Sequence, residues 1–196
     1  MELYLRISDE LYLKRLICGG FERVYEISKD FRNEGIDRTH NPEFTALELY
    51  QAYADYGDMM DIAENMVSHV AEEVTGSSKI TYQGQEVDLS PPWDRISMLD
   101  SIGERADIDV RNADDSDLKA LCDRLGVDVD PSSNRGQLID KIFDATVAPQ
   151  LIQPTFVTDY PVEMSPLAKR HRKEGKLTER FEPFVFGGEI GNAFSE

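Results

Sequence analysis

The stretch Phe31-Arg32-Asn33-Glu34-Gly35, a polar loop through Arg38-Thr39-His40-Asn41-Pro42, and Glu43-Phe44-Thr45-Ala46-Leu47-Glu48-Leu49-Tyr50 gather a guanidinium, carboxylates and aromatic rings in one short span. Groups of these kinds hold anionic oxygens, pair with cations and stack on flat rings. A strand period of 2 from Phe44 predicts Phe44, Glu48 and Tyr50 on one face and Leu47, Leu49 and Tyr53 on the other. One face is expected to pack and the other to carry chemistry. A half-polar face is also the ordinary signature of a solvated antiparallel strand, so the pattern alone leaves that plainer alternative open.

The elements that must position these groups are legible around them. Glu2 to Ser8 alternates Leu3, Leu5 and Ile7 and predicts a strand. Asp9 is expected to cap a short helix that stops at Gly19-Gly20, and Arg23 to Phe31 predicts the strand leading into the polar loop. From Asp58 to Thr75, Met59, Ile62, Ala63, Met66, Val67, Val70, Ala71 and Val74 recur at helical spacing, a core stripe ended by Gly76. Lys79 to Leu89 predicts a hairpin turning near Gln83-Gly84, closed by Pro91-Pro92-Trp93.

Residues 97–150 change character. Helical patterns around Ser97 to Arg105, Ser116 to Leu125 and Gly136 to Val147 alternate with acidic loops, and the block reads as an insertion laid over a sheet. The aspartates at Asp107, Asp109, Asp128 and Asp130 do not follow the spacing of a calcium loop and are better taken as solvated acid. Beyond them, Gln153 to Pro161 contains a strand, and a basic loop runs from Lys169 to Lys176. That loop is either solvated or in contact with phosphate or RNA.

Composition sets outer bounds. In 196 residues, 40% hydrophobic and 30% charged is ordinary globular material, enough for one domain with a core. No apolar run approaches the ~20 residues of a membrane span, and no signal peptide is evident, so a cytoplasmic protein with no membrane partner is expected. The net charge of -17, from 21 basic against 38 acidic residues, argues against a broad grip on a phosphate backbone. Cys18 and Cys122 form no disulfide framework, and the histidines at 40, 69 and 171 form no metal cluster.

Phe31-Arg32-Asn33-Glu34, followed by His40-Asn41-Pro42-Glu43-Phe44-Thr45 and Glu48-Leu49-Tyr50, closely resembles motif 2 of class II aminoacyl-tRNA synthetases in the form found in lysyl-tRNA synthetases. The resemblance implies amino-acid activation: a substrate carboxylate attacks the ATP α-phosphate and pyrophosphate leaves, so charge developing on phosphoryl oxygens must be met by fixed positive groups. Arg32 suits that task, because a planar fork addresses two oxygens where a lysine offers a point charge. On the resemblance, Arg32 holds the α-phosphate, Glu34 and His40 lie near the nucleotide and Phe44 stacks on adenine.

Phe181-Glu182 and Glu189-Ile190-Gly191-Asn192-Ala193-Phe194-Ser195-Glu196 match the element that precedes motif 3 in the same family. Glu182 and Glu189 are separated by an odd number of positions, which on an unbroken strand would face them oppositely. The Gly187-Gly188 pair is expected to supply a bulge or turn that lets both reach one Mg2+, a cation that takes few carboxylates plus substrate phosphates. A salt-bridged surface pair is the alternative. The lysine pocket implied by the resemblance uses Glu10 and Glu196 for the side-chain ammonium with Tyr50 alongside, Glu48 for the α-amino group, and Asn192 and Phe194 on the pocket face.

Motif 1, the glycine-rich strand and arginine of motif 3, and the anticodon-binding barrel have no counterpart in the sequence. The expectation is therefore an α+β fold, an antiparallel sheet with flanking helices, forming an incomplete catalytic core over 1–196. Within it, 1–96 holds motif 2, 97–150 a helical insertion and 151–196 the strands before motif 3. The whole enzyme would be a homodimer that activates lysine with ATP and Mg2+ and charges tRNA, mostly gripped by other parts of the enzyme, while these residues alone would be inactive. A paralogue that lysylates a protein such as elongation factor P, and a non-catalytic binding module, are the alternatives.

Overall fold

The computed structural model describes residues 2–37 and 40–196; Arg38 and Thr39 of the polar loop lie outside them. The chain divides into two compact units, Met1–Ala54 and Asp55–Glu196.

The first unit is a helix, α1 (Glu10–Cys18), and a hairpin of β1 (Arg23–Phe31) and β2 (Glu43–Gln51). The strands pair antiparallel from Arg23 opposite Gln51 to Phe31 opposite Glu43, so directly opposed residues share a face. That register sets Glu26, Ser28 and Asp30 beside Glu48, Ala46 and Phe44. The alternation holds, but the expected division of labour is reversed. Ser28 and Asp30 on the polar face are buried, whereas the apolar face leaves Tyr25, Ile27 and Leu47 exposed. Tyr53, predicted on that face, lies beyond the end of β2 in a left-handed conformation at φ 59, fully exposed.

Glu2 to Ser8 is not a strand. One backbone bond, from Phe31 N–H to Arg6 O at 2.8 Å, ties it to β1, and without a ladder Leu3, Leu5 and Ile7 stand exposed. Asp9 does occupy the N-cap of α1 but makes no side-chain cap bond. Its carboxylate instead accepts from Arg6 at 2.5 Å and from the Ser28 hydroxyl, and the backbone N–H of Asp9 is taken up by Glu48 at 3.3 Å.

In the second unit α2 (Tyr56–Thr75) is closed at one end by a capping box of Asp55 and Asp58 and at the other by left-handed Gly76. Its buried positions are Met60, Glu64, Ser68 and Ala71, and Met59, Ala63 and Val67 of the predicted stripe pack against the same cluster, whereas Val70 and Val74 are exposed, so one edge of the stripe departs from the packed face. Glu64 is buried because its carboxylate accepts the Trp93 backbone N–H at 2.8 Å. The hairpin of β3 (Lys79–Tyr82) and β4 (Gln85–Asp88) turns at Gln83 and Gly84, both with positive φ, as predicted.

The main sheet takes β5 (Asp94–Ser97), β6 (Thr155–Thr158), β7 (Arg180–Val185) and β8 (Gly188–Glu189) in that order, with β9 (Ala193–Phe194) also on β7. It is mixed rather than antiparallel throughout, since β5 and β6 run parallel. The chain between them forms α3 (Met98–Ala106), α4 (Asp115–Leu125) and α5 (Arg135–Thr146), a crossover that returns it to the starting edge. These helices pack through Ile102, Leu118, Leu138 and Ile142 on Val157 and Phe184 of one sheet face. Phe156 and Phe181 on the other face pack with Met60, Trp93 and Val87. No helix among the described residues is long and apolar enough to cross a membrane.

Candidate functional site

Seven of the predicted site residues, Glu10, Arg32, Glu34, His40, Phe44, Glu48 and Tyr50, belong to the first unit. Arg32 follows β1 directly, and its N–H bonds Pro42 O at 3.0 Å, extending the ladder by one step. Its guanidinium donates through Nε to Ile7 O at 3.2 Å and lies 5.1 Å from the centre of the Phe44 ring. A guanidinium fork and an aromatic ring are thus adjacent. Glu34 is exposed just beyond the end of β1. His40 sits against Asp37, with Nδ1 2.9 Å from Oδ2, and this contact holds the imidazole pKa above its ordinary value.

Glu48 accepts from the Ser8 hydroxyl at 2.9 Å and from Tyr50 at 3.3 Å. Glu10 accepts from the Lys14 ammonium at 2.6 Å, and the same ammonium stands 5.6 Å over the Tyr50 ring. Glu10 and Tyr50 thus both stand against the ammonium of Lys14. Sequence reasoning missed Asp30, fully buried with neither carboxylate oxygen bonded among the described residues. Burial foremost, and then Asp9 and Glu48, raise its pKa against the pull of Arg32 and Arg6. Its position two residues before Arg32 on one strand face was the available signal.

Glu182, Glu189, Asn192, Phe194 and Glu196 belong to the second unit. The β7–β8 hairpin turns at Phe186 and Gly187, with φ of 54° and 75°, and Gly188 belongs to β8. Because Phe184 opposes Glu189 and shares a face with Glu182, the two glutamates face the same way despite their odd separation. Glu182 is buried, accepting from Tyr160 Oη at 2.7 Å and from the Arg180 guanidinium. Arg180 also lies 4.6 Å from the Tyr160 ring centre and donates to Asn192 Oδ1 at 3.1 Å. Phe194 opposes Arg180 on β9 and so takes this face too, while Glu196 is exposed at the last position. Tyr160 and Arg180 were not picked out from sequence, although Arg180 and Glu182 at i and i+2 share a strand face.

Glu189 is raised to about 7, chiefly by withdrawal from water, then by Glu182, with Asp140 and Asp144 adding to it and Arg180 opposing. Its residue surface stays open at the hairpin edge, so the effect belongs to the carboxyl's surroundings rather than to complete enclosure. Four carboxylates thus lie near one guanidinium, with the Lys141 ammonium also acting on Asp140 and Asp144. Among the described residues no three His, Cys, Asp or Glu side chains converge as a self-sufficient metal cage. Two carboxylates on one face, short of positive charge, are the donor set Mg2+ takes when phosphates supply the rest.

The raised Glu189 makes stability depend on pH. The folded protein binds its proton more tightly than the unfolded chain, so its stabilising contribution is whole below 4.5 and is lost as pH rises through about 7. Glu189→Gln, which fixes the neutral form, is expected to narrow the difference in melting temperature between about pH 5 and pH 8. An unchanged difference would show that the carboxyl titrates normally.

With this geometry in view, the class of protein is defined: the model for class II tRNA synthetases (D, K and N) matches residues 1–196, and the chain belongs to that family. Within it, the chain is 56% identical to a lysine–tRNA ligase of Pelotomaculum thermopropionicum over 199 residues, covering 100% of this chain and 39% of that protein. Similarity to the lysine–tRNA ligase of Carboxydothermus hydrogenoformans is also 56%, over 197 residues, and to that of Thermotoga maritima 53%, over 196. The chain spans about 40% of the length of the curated relatives it matches.

Proposed function

We propose that this chain is an incomplete part of the catalytic core of a cytoplasmic lysine–tRNA ligase, which works on lysine, ATP and tRNA. The observation that carries the reading is the identity of 56% to lysine–tRNA ligases over the whole chain. The lysine carboxylate attacks the α-phosphorus of ATP, a carboxyl oxygen–phosphorus bond forms, and the bond to pyrophosphate breaks. Arg32 meets the charge on the phosphoryl oxygens, with Phe44 stacked on adenine and Glu34 and His40 beside the nucleotide. Glu48 holds the α-amino group, and Glu10, Glu196 and Tyr50 take the side-chain ammonium, with Asn192 and Phe194 lining the pocket. Glu182 and Glu189 would hold Mg2+, which supplies charge neutralisation for the phosphates. On this reading the homodimer contact of motif 1 and the arginine of motif 3 belong to the part of the relatives' length that this chain does not span.

The test is lysine-dependent exchange of labelled pyrophosphate into ATP by the full-length protein that carries these residues. Exchange with lysine is expected. Its absence with every amino acid would sink the enzyme reading, and robust exchange with aspartate or asparagine would sink the choice of lysine. In the same assay Glu196→Gln is expected to lower the preference for lysine over norleucine by roughly 30-fold or more, as for one partner removed from a buried charge pair. An unaltered preference would remove Glu196 from the ammonium site.

A further inference from the structure

The segment 169–176 carries Lys169, Arg170, Arg172, Lys173 and Lys176 against one acidic residue, Glu174, in a chain of net charge -17. It is a built loop. Lys169 N–H bonds Ser195 O at 2.7 Å, Glu179 N–H returns to Lys169 O at 2.9 Å, and His171 N–H bonds Leu177 O at 2.9 Å. At its tip His171 Nδ1 accepts the backbone N–H of Glu174 at 3.0 Å and of Lys173 at 3.3 Å, which places the ring proton on Nε2.

The charges of this loop fall into two groups. Arg172 is turned to the protein, bonding buried Glu179 through Nε at 2.5 Å and Asp55 at 2.8 Å, and these contacts raise its pKa further. Arg170 donates to Gly175 O at 3.1 Å, and the one acid, Glu174, is neutralised by Arg111 at 3.0 Å. Lys169, Lys173 and Lys176 are exposed and have no carboxylate partner among the described residues. Arginines make the ion pairs between this loop and the rest of the protein, and its lysines are left outward.

We propose that Lys169, Lys173 and Lys176 form a contact surface for the phosphodiester backbone of tRNA. This rests on the ligase reading above and assigns part of the RNA contact to this chain rather than to other regions of the enzyme. The chemistry favours a polymer over a free nucleotide. Three separate ammonium point charges on the outside of a loop suit successive phosphates of a strand, whereas a single nucleotide calls for convergent donors in a concave site. Elsewhere the excess of acid repels a polyanion, so one basic loop also directs where the strand lies.

The experiment measures tRNA binding by the full-length protein through fluorescence anisotropy across a series of KCl concentrations, beside lysine-dependent pyrophosphate exchange. The variant carries Lys169→Gln, Lys173→Gln and Lys176→Gln together. Each phosphate left without its ammonium partner should lower the slope of log K against log salt by ~0.7 to 0.9, so the triple variant should give a slope shallower by about 2 to 3. Affinity at moderate salt should fall by roughly 10-fold or more, while the corresponding Lys→Arg triple variant keeps the slope.

Exchange activity and melting temperature should match the parent protein, because no catalytic or core group is touched. An unchanged slope would show that these lysines are only solvated. A raised KM for ATP in exchange, with tRNA binding intact, would move them to a nucleotide site and overturn the proposal. If the parent binds tRNA and the slope drops while exchange with lysine is absent, the surface stands and the ligase reading falls.

Discussion

In the full-length protein, on the ligase reading proposed above, Arg32→Ala is expected to lower the rate of lysine adenylation by roughly 100- to 1,000-fold, the loss seen when one preorganised donor to a transition-state oxyanion is removed. The reason lies in which of its atoms are already committed. Nε is held by Ile7 O at 3.2 Å, which fixes the plane of the guanidinium, and the two terminal nitrogens have no protein acceptor among the described residues. Those terminal nitrogens are the fork that would face two phosphoryl oxygens at once. Arg32→Lys should recover little, since an ammonium cannot both keep the Ile7 contact and span two oxygens. The deficit should fall on kcat with a smaller change in KM for lysine, because the interaction is made with charge that develops in the transition state. Measured by pyrophosphate exchange, near-normal rates for Arg32→Ala would remove the α-phosphate role.

Much of the fold of each unit is written locally. The hairpin of β1 and β2, the Gln83-Gly84 turn, the Gly76 stop of α2 and the three helices between residues 97 and 150 each follow from short-range rules of period, capping and turn chemistry. The misreadings share a different origin. Glu2 to Ser8 alternates like a strand, but a strand exists only where a partner completes its ladder, and here a single bond to Phe31 is made. Leu47 reads as core because it is apolar, yet on the described chain it is exposed, as is Ile27 opposite it, while Asp30 and Ser28 are buried. Composition does not say which face another element will cover.

The site was legible in proportion to how local its chemistry is. Arg32 and Phe44 lie across neighbouring strands, and their juxtaposition follows from register, since Asp30 opposes Phe44. Glu182 and Glu189 share a face through a two-residue turn one position earlier than the glycine pair suggested. The Tyr160 hydroxyl on Glu182 and the buried, unbonded carboxylate of Asp30 depend on tertiary packing, and no spacing in the chain announces them.

Phe156→Ala is expected to destabilise the second unit by about 3 to 5 kcal/mol, the range for deleting a buried aromatic ring and leaving a cavity. Phe156 is fully buried on β6, stacked on Trp93 with ring centres 5.1 Å apart and edge-on to Phe181 at 5.2 Å. It joins β6 and β7 to the Trp93 segment before β5, and interiors of native density relax only partly around a missing ring. Domains are stable by ~5 to 15 kcal/mol, so this single change removes a large share of what holds β7 with Glu182, and β8 with Glu189, in place. Trp93 is the one tryptophan in the chain and sits in the same cluster, so its fluorescence during urea denaturation reports the unit directly. With a slope of about 2 kcal/mol per molar urea, the midpoint should fall by roughly 1.5 to 2.5 M. Phe156→Leu, which restores most of the volume without the ring contacts, should recover the larger part of that shift. A midpoint for Phe156→Ala within a few tenths of a molar of the parent would mean that this face of the sheet is not the structural centre of the unit.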